Sequence, residues 1–145
     1  EAAGDMMSRG IPFSRIIDES FYRKTYVQNQ ILGRALLESV TFREGKCIFS
    51  VVRRKDMEFY GVESSDLDGI VDQMRVTEGV EVAIFLHEME NHVYKVSMRS
   101  NNYVDVSKVA AYFGGGGHVK AAGCTIAAPI DKAEEMVLAE IEKML

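Results

Sequence analysis

Cysteine and long apolar runs are scarce in this sequence of 145 residues, and each scarcity argues against a class of protein. The two cysteines, Cys47 and Cys124, lie far apart and outside any CxxC or metal-type spacing, which argues against a disulfide framework. We expect both to be reduced core residues of a cytoplasmic protein. The longest apolar runs, such as VAIFL, fall far below the roughly 20 residues of a membrane helix, so we expect no membrane partner.

Basic residues are also fewer than acidic residues. The chain has 17 Lys and Arg against 22 Asp and Glu, a net charge of −5. A protein that neutralises many phosphates of a long duplex has the opposite balance, whereas a short anionic ligand remains possible. The composition that is present, 47% hydrophobic and 27% charged without a polar low-complexity run, is that of one ordinary globular domain.

Apolar periodicity predicts an α/β (α+β) fold, with a mixed β-sheet flanked by helices and preceded by an N-terminal helical arm. The arm covers residues 1–38 and contains helices predicted over 13–23 and 25–38. Since the chain opens with Glu1 inside a helical pattern, we expect it to be part of something longer. The domain proper covers residues 39–145.

Within that domain, strand and helix patterns alternate. In chain order they are a hairpin turning at Glu44 and Gly45, a charged strand end at Arg53 to Lys55, a helix from Ser64 or Ser65 to Gly79, a central strand over Val80 to Leu86, an alternating strand over 92–99, a helix over 106–113 capped by Asp105, a strand over 124–128 and a last helix after Pro129. The acidic run ESSDLD is interpreted as helix capping rather than a metal site.

Four consecutive glycines, Gly114, Gly115, Gly116 and Gly117, stand directly before His118. Their backbone can approach a ligand closely, and their N–H groups can form an anion-binding nest, reinforced by a helix predicted to begin after them. His118 could then donate to the same phosphate. A tight turn without function and a hinge are the alternatives, and the run matches neither the P-loop nor GxGxxG.

Histidine and arginine positions have plain interpretations as well as functional ones. Arg99 ends an alternating strand on its polar face, where a solvated arginine is common, yet its guanidinium could grip a phosphate with two parallel hydrogen bonds. The alternative for His118 is a surface histidine that caps a helix. His87 and His92 flank a predicted turn and are expected to be solvated.

The string VDVSKVAAYFGGGGHVKAAG, with VSMRSN just upstream, resembles the signature of the DHH-associated C-terminal (DHHA-type) domain of DHH-family phosphoesterases. The spacing from EGVEVAIFLHE through VYKVSMRS to the glycines is most similar to the NrnA-like nanoRNase/pAp phosphatase type. The resemblance covers roughly residues 25–145, and AAGDMMSRGIPFSRIIDESFYRKT resembles the end of a preceding catalytic domain.

The resemblance implies that Gly114 to Gly117 and His118 face the substrate phosphate across an interdomain cleft, and that Arg99 and Ser100 hold the phosphate or nucleotide end. It also implies that hydrolysis belongs to a separate DHH domain, whose Asp-His-His triplet binds two divalent metals, typically manganese. No such triplet occurs in this sequence. We therefore expect a substrate-binding part that holds no metal and is not an efficient enzyme by itself.

One functional hypothesis leads and three alternatives stay open. The leading one is the C-terminal substrate-binding domain of a cytoplasmic metal-dependent phosphoesterase for very short RNA and pAp-like nucleotides. The alternatives are the same domain in a cyclic dinucleotide (c-di-AMP) phosphodiesterase, a non-catalytic nucleotide-binding module, and the related domain of a single-strand exonuclease or alanyl-tRNA synthetase. The sequence leaves a homodimer open.

Overall fold

The structure, a computed structural model, describes residues 23–145. Its strands are β1 (Val40–Phe42), β2 (Cys47–Val52), β3 (Val82–Glu90), β4 (Val93–Ser100), β5 (Gly116–His118) and β6 (Ala121–Ala127). Its helices are α1 (Tyr26–Leu37), α2 (Arg54–Tyr60), a 3₁₀ helix (Ser64–Leu67), α3 (Ile70–Arg75), α4 (Val106–Tyr112) and α5 (Ile130–Glu142). The helix predicted over 13–23 lies outside the described residues.

The strands form one mixed sheet in the order β1-β2-β3-β4-β6-β5. β2 and β3 run parallel, and the other neighbouring pairs run antiparallel. The crossover from β2 to β3 carries α2, the 3₁₀ helix and α3, as a parallel connection requires. The predicted fold class, a mixed sheet flanked by helices, is therefore confirmed.

The two faces of the sheet are covered to different extents. On the first face, α4 and α5 pack on apolar residues of β2, β3, β4 and β6, among them Val82, Val96 and Ala122. On the second face, α1, α2 and α3 pack on β2 and β3 through residues such as Ile48 and Phe85. That second core cluster contains no residue of β4, β5 or β6. The half of the second face that β4, β6 and β5 form therefore has no apolar cover from the part of the chain that the structure describes.

The helix before the domain and the first hairpin form as predicted. α1 begins after Thr25, whose hydroxyl oxygen accepts from the N–H of Gln28 while the Gln28 amide oxygen accepts from the N–H of Thr25. Ile31 and Ala35 of this helix are buried, in agreement with the apolar period. β1 and β2 pair across a turn that includes residues 44–45 at positive φ.

The predicted burial of the long strands and of the cysteines is also confirmed. β3 is central, with its first seven residues buried. In β4, Tyr94, Val96 and Met98 are buried, whereas Lys95 is exposed. Both cysteines are free and buried. Burial raises the pKa of Cys124 to about 11, which keeps this thiol protonated and unreactive at neutral pH.

The single helix predicted from Ser64 to Gly79 is wrong. The chain instead forms the 3₁₀ helix and then α3, with Gly69 between them at a φ of 94°. A residue in this left-handed conformation cannot continue a right-handed helix, so the glycine divides the segment. α3 then ends at Arg75, one turn before the predicted end.

The prediction of a charged strand end at Arg53 to Lys55 is also wrong, because α2 begins there. The Asp56 carboxylate accepts a hydrogen bond from the N–H of Arg53 and so fixes the first turn. Gly61, at a φ of 68°, ends the helix in the left-handed conformation. Glu88 of β3 accepts from the N–H of Arg54, which joins this helix start to the sheet.

The helix predicted to begin after His118 does not form. Residues 116–118 and 121–123 instead pair as the antiparallel strands β5 and β6. The strand predicted over 124–128 is therefore the second half of a longer strand, β6. The anion-binding nest consequently loses the helix N-terminus that was expected to reinforce it.

Candidate ligand-binding site

Strand register brings Arg99 and His118 onto the same face of the sheet. Arg99 of β4 is paired with Ala121 of β6, and Ala121 is in turn paired with His118 of β5. Directly paired residues point to the same side of a sheet, so the three side chains form one row. Since neighbouring strands lie about 4.8 Å apart, the Cα atoms of Arg99 and His118 are separated by roughly 10 Å.

Two further rows complete a surface that we name the platform. The next row consists of Ser97, Gly123 and Gly116, and the one after it pairs Lys95 with Thr125. The platform is the uncovered half of the second face, formed by Lys95, Ser97, Arg99, Gly116, His118, Ala121, Gly123 and Thr125. Small residues occupy its centre, so a ligand can approach the backbone there, between cationic side chains at the rim.

Arg99 is held at the edge of the platform by two contacts. Its Nε donates to Oδ1 of Asp72 on α3 at 3.0 Å, and its Nη1 donates to the carbonyl oxygen of Met98 at 3.0 Å. The side chain of Arg99 is 28% exposed and that of Asp72 is 51% exposed. The guanidinium is thus oriented by a solvated ion pair, and its Nη2 makes no hydrogen bond within residues 23–145.

Ser100 does not share the platform with Arg99. As the next residue along β4 it points to the opposite face, where it is 2% exposed. Its hydroxyl donates to the carbonyl oxygen of Val119 at 3.5 Å, and its N–H donates to that of Lys120 at 3.0 Å. The structure therefore places Ser100 as a support for the turn between β5 and β6.

The four glycines have different local roles. The N–H groups of Gly114 and Gly115 donate to the carbonyl oxygens of Ala111 and Ala110, at 3.0 and 2.8 Å, so they close α4 and are not free for a nest. A Cβ at Gly115 would lie 2.2 Å from the carbonyl oxygen of Gly123. That distance is far inside van der Waals contact, so the fold itself requires a glycine at this position.

In β5, packing requires a glycine at Gly117 but not at Gly116. A Cβ at Gly117 would lie 2.6 Å from the carbonyl oxygen of Ala121, and its φ is 146°. A Cβ at Gly116 would meet no atom within 4 Å, and its φ is not positive. Gly116 is therefore the glycine of β5 that packing does not explain. Because it lies in the row of Ser97 and Gly123, an added methyl group would stand on the platform.

A groove of about 480 Å³ adjoins the platform on the side of Arg99. It lies between β3 and β4 on one side and the 3₁₀ helix and α3 on the other, and Arg99 and Lys95 both line it. His87 lies in this groove, 5% exposed, with its Nε2 3.3 Å from Oγ of Ser64. Burial lowers the pKa of His87, Lys95 lowers it further, and Asp68 opposes them.

The expectation that His87 is solvated is therefore wrong, whereas His92 is exposed in the turn after β3. His87 follows Ala83 and Phe85 at intervals of two along β3, and both of these are buried on the second face. The period of the strand is therefore the signal that indicates its burial. No comparable signal marks Ser64, whose contact with His87 depends on tertiary packing.

Residues 23–145 contain neither a cluster of metal ligands nor a helix that could span a membrane. In that range no group of three or more His, Cys, Asp or Glu side chains could hold a metal ion. The acidic run is explained as capping, because the Asp66 carboxylate accepts from the N–H of Glu63 at 2.9 Å and from Gln28 at 2.8 Å. None of the helices there is long and apolar enough to cross a membrane.

Comparison with known proteins identifies the domain. The DHHA1 domain family matches residues 44–145. Over 145 residues the chain is 32% identical to the bifunctional oligoribonuclease and PAP phosphatase NrnA of Thermus thermophilus, covering 99% of this chain and 42% of the relative. The chain thus spans less than half the length of this curated relative.

Two solved structures have the same fold. An exopolyphosphatase-related protein from Bacteroides fragilis superposes with a TM-score of 0.84 at 20% identity, over 97% of this chain and 42% of that protein. The pGpG-specific phosphodiesterase PggH from Vibrio cholerae superposes with a TM-score of 0.60 at 11% identity, over 82% of this chain and 40% of that one. At these identities the likeness concerns the fold, whereas the family match and the NrnA relative show that this chain belongs to the DHHA1 domain family and is of the NrnA-like type.

Proposed function

We propose that this chain is the C-terminal substrate-binding region of a metal-dependent DHH-family phosphoesterase that acts on short oligoribonucleotides and pAp-like nucleotides. The observation that carries the proposal is the row of Arg99 and His118 on a platform whose edge-strand residue Gly116 has no packing reason to be a glycine. The named activity of the Thermus thermophilus relative supports the substrate class.

The ion pair of Arg99 suits reversible phosphate binding. Solvated pairs contribute little to stability, typically up to about 1 kcal/mol, so a phosphate can replace Asp72 at low cost. A phosphate accepts two parallel hydrogen bonds from a guanidinium, whereas a lysine ammonium lacks that geometry. Before a ligand binds, Asp72 holds Nε of Arg99 at 3.0 Å.

Hydrolysis itself requires groups that the described residues do not supply. In residues 23–145 there is no cluster that fits a manganese pair, so we assign no step of the reaction to this domain. We place the metals in a DHH domain of the same protein, which would approach the platform. On this proposal the present chain binds and orients the substrate and supplies no catalytic residue.

The experiment is a titration of the 145-residue chain with pAp, followed through backbone amide shifts and calorimetry. Arg99→Ala should weaken binding by about 1.5 to 3 kcal/mol, the range for hydrogen bonds to charged groups, which is roughly tenfold to over a hundredfold. Arg43→Ala is the matched control, because Arg43 forms a comparable surface ion pair with Glu142 at 2.7 Å, away from the platform.

The expected pattern is a set of shifts at Gly116, His118 and Arg99, lost in Arg99→Ala and kept in Arg43→Ala. A dissociation constant of Arg99→Ala within twofold of the parent value would contradict the proposal, as would the absence of binding by the parent chain. The same titration with c-di-AMP tests the alternative substrate. Tighter binding of c-di-AMP than of pAp would transfer the proposal to cyclic dinucleotides.

A further inference from the structure

The groove beside the platform is large enough, and close enough to Arg99, to hold more of a ligand than its phosphate. Its volume of about 480 Å³ lies within the range of small-molecule sites, roughly 300 to 1,000 Å³. Arg99 lines it at the boundary with the platform, so a ligand whose phosphate lies on Arg99 has its remaining atoms next to the groove. The chemistry of the groove lining then decides which part of a nucleotide fits there.

The lining of the groove combines an apolar wall with a polar rim. Leu67, Val71 and Phe85 form the wall, and their side chains belong to the second core cluster. The rim includes the carboxylates of Asp68 and Asp72 as well as Lys95 and Arg99. Ser64 and His87 lie beside this wall. A nucleobase has matching apolar and polar parts, since its faces stack on apolar or aromatic groups while its edge carries hydrogen-bond donors and acceptors.

Only one of the two ring nitrogens of His87 has a hydrogen-bond partner in the described part of the protein. Its Nε2 lies 3.3 Å from Oγ of Ser64, but its Nδ1 makes no hydrogen bond within residues 23–145. Because burial lowers the pKa of His87, the ring is neutral and offers one donor and one acceptor. The Ser64 hydroxyl can take either role, so the pair can adapt to either kind of group on a base edge.

The other side of Arg99 offers no comparable walls. Across β6 and β5 the platform presents Ala121, Gly123 and Gly116, which cannot enclose a base. The groove, in contrast, is bounded by β3, β4, the 3₁₀ helix and α3, with Ser97 at its border with the platform. A nucleoside attached to a phosphate at Arg99 therefore gains contacts in one direction only.

We infer that this groove is a nucleoside subsite, in which the base lies against Leu67, Val71 and Phe85 with its polar edge toward His87 and Ser64. This inference rests on the proposed function, because it takes Arg99 as the group that holds the phosphate. It adds that the domain recognises the base of its ligand, beyond the charge of its phosphate.

The test compares two ligands that differ only by the base, AMP and ribose 5-phosphate, with the 145-residue chain. We expect the parent chain to bind AMP at least tenfold more tightly. Ser65→Leu, which adds a larger side chain where the 3₁₀ helix lines the groove, should lower the affinity for AMP at least tenfold and leave ribose 5-phosphate within threefold. Thr41→Leu is the control, because it adds similar bulk at an exposed position of β1, outside both the platform and the groove.

A second variant and a direct signal keep the test decisive if Ser65→Leu does not fold. His87→Phe removes the polar edge and should lower the affinity for AMP at least threefold, and in the parent chain the imidazole proton signals of His87 should shift with AMP but not with ribose 5-phosphate. Equal affinities for the two ligands in the parent chain, or unshifted His87 signals, would overturn the subsite. If Arg99→Ala still weakens pAp binding in that case, the phosphate site stands without the subsite, whereas an unaffected Arg99→Ala defeats the proposed function itself.

Discussion

Among single residues, the four glycines allow the clearest distinction between a structural and a functional role. Gly116→Ala adds a methyl group that meets no protein atom, so stability should stay the same or rise by about 0.5 kcal/mol as backbone entropy falls. On the platform the same methyl group should obstruct a ligand, and we expect pAp affinity to fall at least fivefold. Urea unfolding and pAp titration of the same samples check the two statements.

Gly115→Ala is the contrasting variant. Its Cβ would lie 2.2 Å from a backbone oxygen, and overpacking of this kind costs about 1 to 3 kcal/mol. We expect a lower urea midpoint for this variant. If Gly116→Ala, in contrast, leaves the pAp affinity unchanged, none of the four glycines has a role in ligand binding.

His87 gives a pH dependence whose direction follows from its burial. Its pKa is lowered from 6.5, first by burial and then by Lys95, so the unfolded chain binds a proton more readily than the folded one. The stability is therefore complete above pH 6.5 and is lost as the pH falls from 6.5 through the lower folded pKa. Urea midpoints between about pH 7.5 and pH 5.5 should fall more steeply in the parent than in His87→Phe. Parallel curves for the two proteins would refute this assignment.

At the scale of elements, one buried carboxylate, directly before β3, connects the start of that strand to the loop between β4 and α4. Glu81 is 4% exposed, and its carboxylate accepts from the N–H groups of Asn102, Tyr103 and Val104, the last two at 2.7 and 2.8 Å. Glu81→Gln replaces one acceptor by a donor amide facing N–H groups, and we expect a loss of about 1 to 3 kcal/mol in the free energy of unfolding. Urea denaturation measures it, with the exposed Glu78→Gln as control. A loss equal to that of the control would contradict this role.

Elements with a strong local pattern could be predicted from the sequence, and those defined by distant contacts could not. The apolar and polar alternation of β4 is enough to predict that Arg99 lies on the polar side of its strand. β5 consists of Gly116, Gly117 and His118, which have little intrinsic strand preference, so its strand exists only through pairing with β6. The row of Arg99 with His118 depends on that long-range register, and the helix prediction failed for the same reason.

On the scale of the whole molecule, charge is unevenly distributed. The chain has a net charge of −5, yet the platform and the turn beside it present Lys95, Arg99 and Lys120 with a single ion pair, to Asp72, among the described contacts. A small cationic area on an acidic protein attracts a short anion at close range. We expect the chain to repel a long polyanion, because its net charge is negative.

We therefore expect the 145-residue chain to discriminate by length. A dinucleotide or pAp should displace a labelled pAp probe, whereas a long RNA duplex at equal phosphate concentration should not. Because few phosphates are contacted, raising the salt from about 50 to about 200 mM should weaken pAp binding by less than the roughly thousandfold typical of proteins that make many phosphate contacts. Competition titrations at the two salt concentrations measure both effects. Effective displacement by the duplex, or a steep salt dependence for pAp, would mean that the cationic surface extends beyond the platform and that the ligand is a longer nucleic acid.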